Sequence, residues 1–465
     1  MVRVRLAIAL ACGAGLPSAC TVGPDYRAPD VQALHVPAAW SGASPAAAAD
    51  LAAWWRVLGD ATLDALEDEA IAGSRDMAIA RARLRESRAR QQLTRAGFFP
   101  SVSASLGASR SRTDAASQSF FDAGFDASWE PDVFGGQRRA AEAADADLEA
   151  ATQDLHAAQV SLAAEVALEY VNVRSLQARL AIARGNLAAQ TETLQLTQWR
   201  TQAGLTSSLD VEQARTSVEQ TRAQLPALET SLAQSRNRLS VLTGVAPGTL
   251  DERLAAAAPV PAIPAALAIG IPADTLRQRP DLRAAERRLA AETARVGEAE
   301  AARYPALALT GSIGMESLTF AGLGDGGALV ARAAAKLAAT IFDAGRLRAR
   351  VEIQGAVQER ALHAYESAVL SALEDVENAL AQWRHAAERR AALADAAEAA
   401  RNASLLAQHR YAAGITDFQT VLDTQRTLLA AQDGLETTGA DQALAFIRLY
   451  KALGGGWNAG AGTNS

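Results

Sequence analysis

Cysteine is almost absent: Cys12 and Cys20 are the only two in 465 residues. Both fall within the first twenty positions, so no disulfide framework can staple the rest of the chain. Aromatic residues make up only 5%, and the interior must be filled largely by small aliphatic side chains. Alanine, the strongest helix former, dominates them. The five histidines, His35, His156, His363, His385 and His409, are scattered. With no His-Glu-x-x-His and no paired cysteines, the common metal and hydrolase patterns are missing. Positive charge is also short, 45 basic against 52 acidic side chains for a net −7. That balance excludes the basic stripe a nucleic-acid binder needs. After residue 20 no run of 18 apolar residues occurs, so no membrane-spanning helix is expected. The cluster Gly322-Leu-Gly324-Asp-Gly326-Gly327 looks like a nucleotide loop. It lies between two predicted strands with no helix start after it, and reads as a flexible outer loop. An enzyme is not indicated.

What is present begins at the N-terminus. Arg3 and Arg5 precede an apolar run from Leu6 to Leu16, followed by Ser18, Ala19 and Cys20. This is the pattern of a secretory signal, residues 1–19, which would remove Cys12 and leave Cys20 first in the mature chain. Cys20 then has no disulfide partner, and it reads as a lipoprotein cysteine carrying a covalent lipid. No other cofactor and no metal is expected. Pro17 departs from the usual signal box, in which Leu is expected there; Leu16 stands one position early.

The chain also repeats itself. Phe98-Phe99-Pro100 is echoed by Tyr304-Pro305, and Phe134-Gly135-Gly136-Gln137-Arg138 by Phe342-Asp343-Ala344-Gly345-Arg346. Arg200-Thr-Gln-Ala-Gly204-Leu-Thr206 is echoed by Arg410-Tyr-Ala-Ala-Gly414-Ile-Thr416. The landmarks keep their order at offsets of roughly 205 to 210 residues, too long for a solenoid. The expected organisation is an extended lipidated segment over 20–60, a first repeat over 61–255, an Ala/Pro linker over 256–272, a second repeat over 273–454 and a tail over 455–465. Each repeat reads helix, strand, strand, long helix, turn, helix. The first helix is predicted from Thr62 to Ala96 and the first long one from Gln137 to Ala203, a rod of about 100 Å. Val166, Val173, Leu180, Leu187 and Leu194 recur every seven positions, the spacing of coiled-coil packing. Gly204 is placed to cap the rod, and Ser207 or Ser208 to start the return helix. In the second repeat, helices are predicted over Asp281–Ala302, Arg346–Tyr411 and Asp417–Leu453.

The predicted strands alternate. From Phe121 to Trp129 the odd positions are Phe, Ala, Phe, Ala and Trp, while Asp122 and Asp126 lie on the other face. Val102, Ala104, Leu106 and Ala108 oppose a row of serines, and Leu307, Leu309, Ile313 and Met315 share one face. In the fourth strand Leu329, Leu337 and Ile341 share a face opposite Arg332 and Lys336. About ten alternating residues per strand matches an outer-membrane barrel, and a half-buried soluble sheet alternates likewise. Four strands cannot close around a lumen, and an open edge in lipid leaves backbone groups unpaired. The chain is therefore expected to supply part of a barrel. Two copies would give eight strands and a plugged interior; three would give twelve and a passage. Arg110–Ser119 and Glu316–Gly327 become the outer loops, and Asp122, Asp126, Arg332 and Lys336 the lumen-facing set.

These residues resemble the outer membrane factor family, the TolC and OprM type, and most closely its NodT-type lipoprotein branch. The resemblance is carried by Cys20-Thr-Val-Gly-Pro-Asp-Tyr26 with Pro29, Trp54-Trp55 before Leu58-Gly59-Asp60, Arg279-Pro-Asp-Leu-Arg-Ala-Ala-Glu286 and Leu373-Glu-Asp-Val-Glu-Asn-Ala-Leu380. Together with the two repeat turns these segments span nearly the whole chain. The resemblance implies a mainly α protein with a membrane β-barrel. In it a homotrimer builds a twelve-stranded barrel in outer-membrane lipid, continuing into a long periplasmic α-helical barrel. It implies partners too: a periplasmic adaptor and an inner-membrane transporter, most often of the resistance-nodulation-division type. The implied role is the exit duct of an efflux pump; a type I protein-secretion duct looks alike at the tips. The turns at Gly204 and Gly414 become the periplasmic tips. Thr420 stands where the family has an outer aspartate, Asp423 at the inner acidic position, and Asp210 at the matching place in the first turn.

Overall fold

The computed structural model describes residues 21–29, 36–41, 51–112, 117–264 and 272–457. The expected leader, Cys20, the end of the linker and most of the tail lie outside the described residues. Eight α-helices and four strands occur among those described. They are α1 (Ala61–Gly73), α2 (Arg75–Ala96), β1 (Ser101–Arg112), β2 (Ser117–Trp129), α3 (Gly136–Gln202), α4 (Ser208–Thr243), α5 (Pro272–Gln278), α6 (Pro280–Ala301), β3 (Ala306–Ser317), β4 (Leu329–Ala338), α7 (Arg346–Ala412) and α8 (Phe418–Ala452). The duplication is visible in the lengths: α3 and α7 have 67 residues each, α4 has 36 and α8 has 35. At 1.5 Å per residue each long helix runs about 100 Å.

Two compact units form. The first gathers the described parts of Met1–Asp30, Arg83–Gln153 and Arg283–Ser367. It contains one antiparallel sheet in the order β1-β2-β3-β4. The second gathers the described parts of Val31–Ala82, Asp154–Leu282 and Ala368–Ser465. Its core centres on Trp54, which stacks on Tyr450 at 5.5 Å and meets Phe446 edge-on at 6.5 Å. Val166, Val173 and Leu180 of the heptad row are buried there, with Tyr170 between them. Tyr170 donates a 2.6 Å hydrogen bond to Asp60, whose other carboxylate oxygen caps α1 by accepting from the Thr62 and Leu63 amides. Leu187 and Leu194 are only half-buried.

Three expectations need correction. The outer loop expected over Arg110–Ser119 is shorter, because backbone pairing continues to Arg112 opposite Ser117. The helix predicted from Thr62 to Ala96 is two helices, because Ser74 leaves the helical region at ψ 136. The break occurs where α1 meets the end of α4: a Cβ on Gly73 would lie 2.7 Å from the Thr243 carbonyl oxygen, and one on Gly244 2.1 Å from that of Gly73. Only two glycines allow so close an approach, and a continuous helix could not make it. The fourth strand stops at Ala338, short of Ile341. Ala344 and Gly345 then take positive φ values of 53° and 86° to start α7, a turn that extended pairing cannot contain.

Glu67 on α1 is wholly buried, and neither carboxyl oxygen has a partner among the described residues. Burial pushes its carboxyl well above the ordinary carboxylate range, and the charges of Asp68 and Asp64 add to the rise. The folded state therefore binds this proton more tightly than the unfolded chain. Its stability is greatest below the unfolded carboxyl pKa and falls as pH rises toward the folded value. Glu67→Gln should flatten this fall, raising the denaturation midpoint at pH 8 by several degrees and at pH 5 by little. Parallel wild-type and variant midpoints across that range would show that Glu67 is not the group responsible.

Candidate functional site: sheet faces, helix tips and an N-terminal strap

The sheet register sorts the side chains into two faces. Phe125 pairs with Ala104 on β1 and Ile313 on β3, and Ile313 pairs with Ala331. The same face carries Val102, Leu106, Phe121, Ala123, Trp129, Leu309, Met315, Leu329 and Leu337 by alternation. Asp126 pairs with Ser103 and Ser312, and Ser312 pairs with Arg332. This second face also holds Asp122, Glu316 and Lys336, the last opposite Ala308. The four polar residues singled out from the sequence thus share one face. Sequence alternation had not included Glu316, which forms a bidentate ion pair with Arg332. The apolar face is open: Phe125, Leu106 and Leu337 are 59%, 78% and 69% exposed. The sheet ends in two unpaired edge strands, β1 and β4.

The two helix turns have the same backbone design. Gly204 takes φ 73°, its amide donates to the Thr201 carbonyl at 2.9 Å, and the Leu205 amide donates to Arg200 at 2.8 Å. Gly414 takes φ 73°, its amide donates to Tyr411 at 3.0 Å, and the Ile415 amide donates to Arg410 at 2.8 Å. This left-handed closure satisfies the last carbonyls of each rod and favours glycine at that one position. The return helices are capped differently. Ser207 and Asp210 form a reciprocal box: the Asp210 amide donates to the Ser207 hydroxyl, and the Ser207 amide to the Asp210 carboxylate at 3.1 Å. In the second turn Asp417 is the cap and accepts from both the amide and the hydroxyl of Thr420, at 3.0 and 2.5 Å. The Thr420 hydroxyl first, and its amide second, hold the Asp417 carboxyl below the ordinary range.

Asp423 lies one turn further along α8, exposed, with Gln419 donating to one of its oxygens at 3.0 Å. Beneath these polar groups the turns share a small core. Arg200 donates to the Tyr411 carbonyl at 2.7 Å and lies 4.6 Å above the Tyr411 ring, which meets Phe418 at 5.5 Å. Gln425 donates to the Thr193 hydroxyl at 2.9 Å in a buried contact. Arg200 and Tyr411 appear in the sequence repeat but carried no assignment there, because their contact joins residues 211 apart.

Residues 21–29 form a strap on the first unit. Arg139, only 6% exposed, donates to the carbonyls of Val22 and Gly23 at 3.1 and 3.2 Å and to Asp25 at 2.8 Å. Its remaining nitrogen reaches Glu142 at 2.8 Å. Burial alone would depress the Arg139 pKa, but the hydrogen bonds to Asp25 and Glu142 reverse the sign and raise it. Gly23, at φ 91°, is pressed so close to α6 that a Cβ there would lie 2.3 Å from the Gly297 Cα. Tyr26 donates to Glu286 at 2.9 Å under the Arg287 guanidinium. Burial first, and the Glu286 carboxylate second, push its hydroxyl pKa up. The strap therefore fixes Thr21 beside Gly135, at the turn from β2 into α3. Among the described residues no group of three or more His, Cys, Asp or Glu is arranged to hold a metal ion.

Comparison with known proteins gives a consistent answer. The sequence model of the family described as "Outer membrane efflux protein" matches residues 66–245 and again 271–455. The chain is 36% identical over 452 residues to the pyoverdine export outer membrane protein OpmQ of Pseudomonas putida, covering 94% of this chain and 95% of that one. It is 32% identical over 465 residues to the toluene efflux pump outer membrane protein TtgF of Pseudomonas putida, covering 95% of each. Among solved structures, the outer-membrane channel OprN superposes with a TM-score of 0.87 at 37% identity, over 94% of this chain and all of that one.

Proposed function

The chain belongs to the outer membrane efflux protein family, and from that premise we propose that three copies assemble into the exit duct of a tripartite efflux pump. It is an outer-membrane efflux channel with a periplasmic helical part. The observation that carries the trimer is the open four-stranded sheet with one continuous apolar face. Its unpaired edges cannot stand in lipid, and three copies would close a twelve-stranded barrel wide enough for a passage. In this assembly Asp122, Asp126, Arg332 and Lys336 line the lumen. Gly204 and Gly414 mark the periplasmic tips, where Asp423 and Asp417 present carboxylates toward the threefold axis. Thr420 holds Asp417 in place, and Asp210 chiefly completes the Ser207 capping box. A periplasmic adaptor meets these tips and hands over small molecules from an inner-membrane transporter of the resistance-nodulation-division type.

Cys20 carries the covalent lipid in this reading. Thr21 is not the aspartate that retains lipoproteins in the inner membrane, so sorting is outward. One experiment tests both parts: palmitate labelling followed by electrophoresis without boiling. The wild type should run as a labelled trimer that dissociates on heating, and Cys20→Ser as an unlabelled one. A wild-type monomer in the unboiled lane refutes the trimer, and a labelled Cys20→Ser refutes the acylation site.

A further inference from the structure

The apolar face of the sheet is free of charge except at one place. Along β1 it reads Val102, Ala104, Leu106 and Ala108, and then Arg110 and Arg112. Among the described residues of the four strands, no other ionisable side chain lies on that face; Asp122, Asp126, Glu316, Arg332 and Lys336 are all on the opposite one. Both arginines are exposed. Arg110 donates to the Ser117 hydroxyl at 3.0 Å across the hairpin. Neither has a carboxylate partner among the described residues; Asp114 lies outside them. Arg332 on the polar face, by contrast, is neutralised by Glu316.

Their height is informative. β1 follows α2 and β2 leads into α3, so the helices adjoin one end of the hairpin, and the pair Arg112–Ser117 lies at the other. The aromatic row ends where Ala108 pairs with Phe121. Arg110 lies two residues beyond that level and Arg112 four, about 7 and 14 Å along the strand. With a tilt of about 40° these become roughly 5 and 10 Å along the membrane normal. The polar layer outside the hydrocarbon core is about 5–8 Å thick. The two guanidinium groups thus reach from the acyl boundary through the headgroup layer, while pointing outward from the barrel.

We propose that Arg110 and Arg112 form a phosphate-binding site for the phosphorylated glycolipid of the outer leaflet, with the acyl chains of that lipid lying on Val102, Leu106 and Phe125. The inference rests on the reading that the apolar face meets lipid and that the hairpin end points out of the cell. Charge complementarity favours this occupant. The outer leaflet of a bacterial outer membrane is built on a disaccharide with two phosphates directly at the acyl boundary, and the planar guanidinium fork binds phosphate bidentately. Two forks on alternate residues of one strand, about 7 Å apart, offer a pair of such contacts.

The test uses the full-length trimer, delipidated in detergent, and reads the temperature at which the unboiled trimer dissociates. Three additives are compared: bis-phosphorylated lipid A, the same glycolipid with both phosphates removed, and phosphatidylglycerol. Lipid A should raise the dissociation temperature of the wild type; the dephosphorylated form and phosphatidylglycerol should not. R110A/R112A should need roughly tenfold more lipid A for the same shift, and R110K/R112K should recover part of the response. An equal shift with phosphatidylglycerol, an equal shift with dephosphorylated glycolipid, or an undiminished response in R110A/R112A overturns the proposal. The wild-type comparison decides even if a variant does not assemble. The underlying face assignment fails separately, if lysine at Phe125 leaves the trimer intact.

Discussion

Phe125→Lys should remove most of the heat-modifiable trimer from the outer membrane, while Asp126→Lys should leave it close to wild-type amounts. The two positions are adjacent in sequence and both exposed in one protomer, so solvent exposure alone predicts no difference. The register supplies one. Phe125 sits midway along the apolar row from Phe121 to Trp129, flanked by Ala104 and Ile313, which in a trimer places it near the bilayer midplane. A lysine there costs roughly 2–4 kcal/mol per protomer, and every trimer carries three. Asp126 stands in a row with Ser103, Ser312 and Arg332, and accepts a 3.0 Å hydrogen bond from the Ser105 hydroxyl. In a water-filled lumen a lysine there loses that bond and meets Arg332 across one strand, a screened repulsion of the order of 1 kcal/mol or less. The measurement is the ratio of unboiled trimer to total protein in outer-membrane fractions. Equal losses for the two variants would mean that the faces are assigned the wrong way round or that the sheet does not enter lipid.

How far the sequence discloses this architecture depends on how local each signal is. Strand alternation is local, and it sorts Asp122, Asp126, Arg332 and Lys336 onto one side of the sheet before any pairing is known. Helix ends carried by glycine are local too, and Gly204 and Gly414 both take the left-handed conformation such an end requires. Where an expectation erred, the cause lies farther off. The residues around Ser74 favour helix on both sides; the break comes from Gly244, some 170 positions away in the chain and in backbone contact with Gly73. From the sequence, Arg110–Ser119 reads as the first hairpin loop. Pairing continues to Arg112 opposite Ser117; the charge marks where an apolar environment would end, and the backbone ladder continues past it. Arg139 carries no local signal at all, since its carbonyl and carboxylate partners lie at Val22, Gly23 and Asp25. Asp417 was legible only as the start of a helix. Its pairing with Thr420 makes it a second exposed carboxylate near Asp423, at the position where the family resemblance drew attention to Thr420 instead.

At the two helix turns, the structure separates three acids by what their oxygens accept. Both Asp210 and Asp417 accept from groups in their own turn, and their oxygens stabilise helix starts. Losing the Asp417 cap should cost about 1 kcal/mol of local stability, and losing Asp210, the second half of the Ser207 box, somewhat less. Asp423 caps nothing; one oxygen accepts from Gln419 and the side chain is exposed. In a closed trimer, three copies would bring these carboxylates within a few ångström of the threefold axis, where three like charges repel one another. Hydrated cations between them relieve the repulsion. A resting channel should therefore favour cations and be blocked by divalent or trivalent ions added from the periplasmic side. Asp423→Ala should abolish most of the cation preference and weaken that block by roughly tenfold, about the effect of losing one charge-assisted contact, with trimer yield unchanged. Asp210→Ala should do the reverse, lowering thermal stability with selectivity retained. Single-channel recordings in planar bilayers, with reversal potentials under a salt gradient, separate the two outcomes. If Asp423→Ala matches wild type in conductance, selectivity and block, the narrowest ring is formed by other residues, and Asp417 is the next carboxylate to replace.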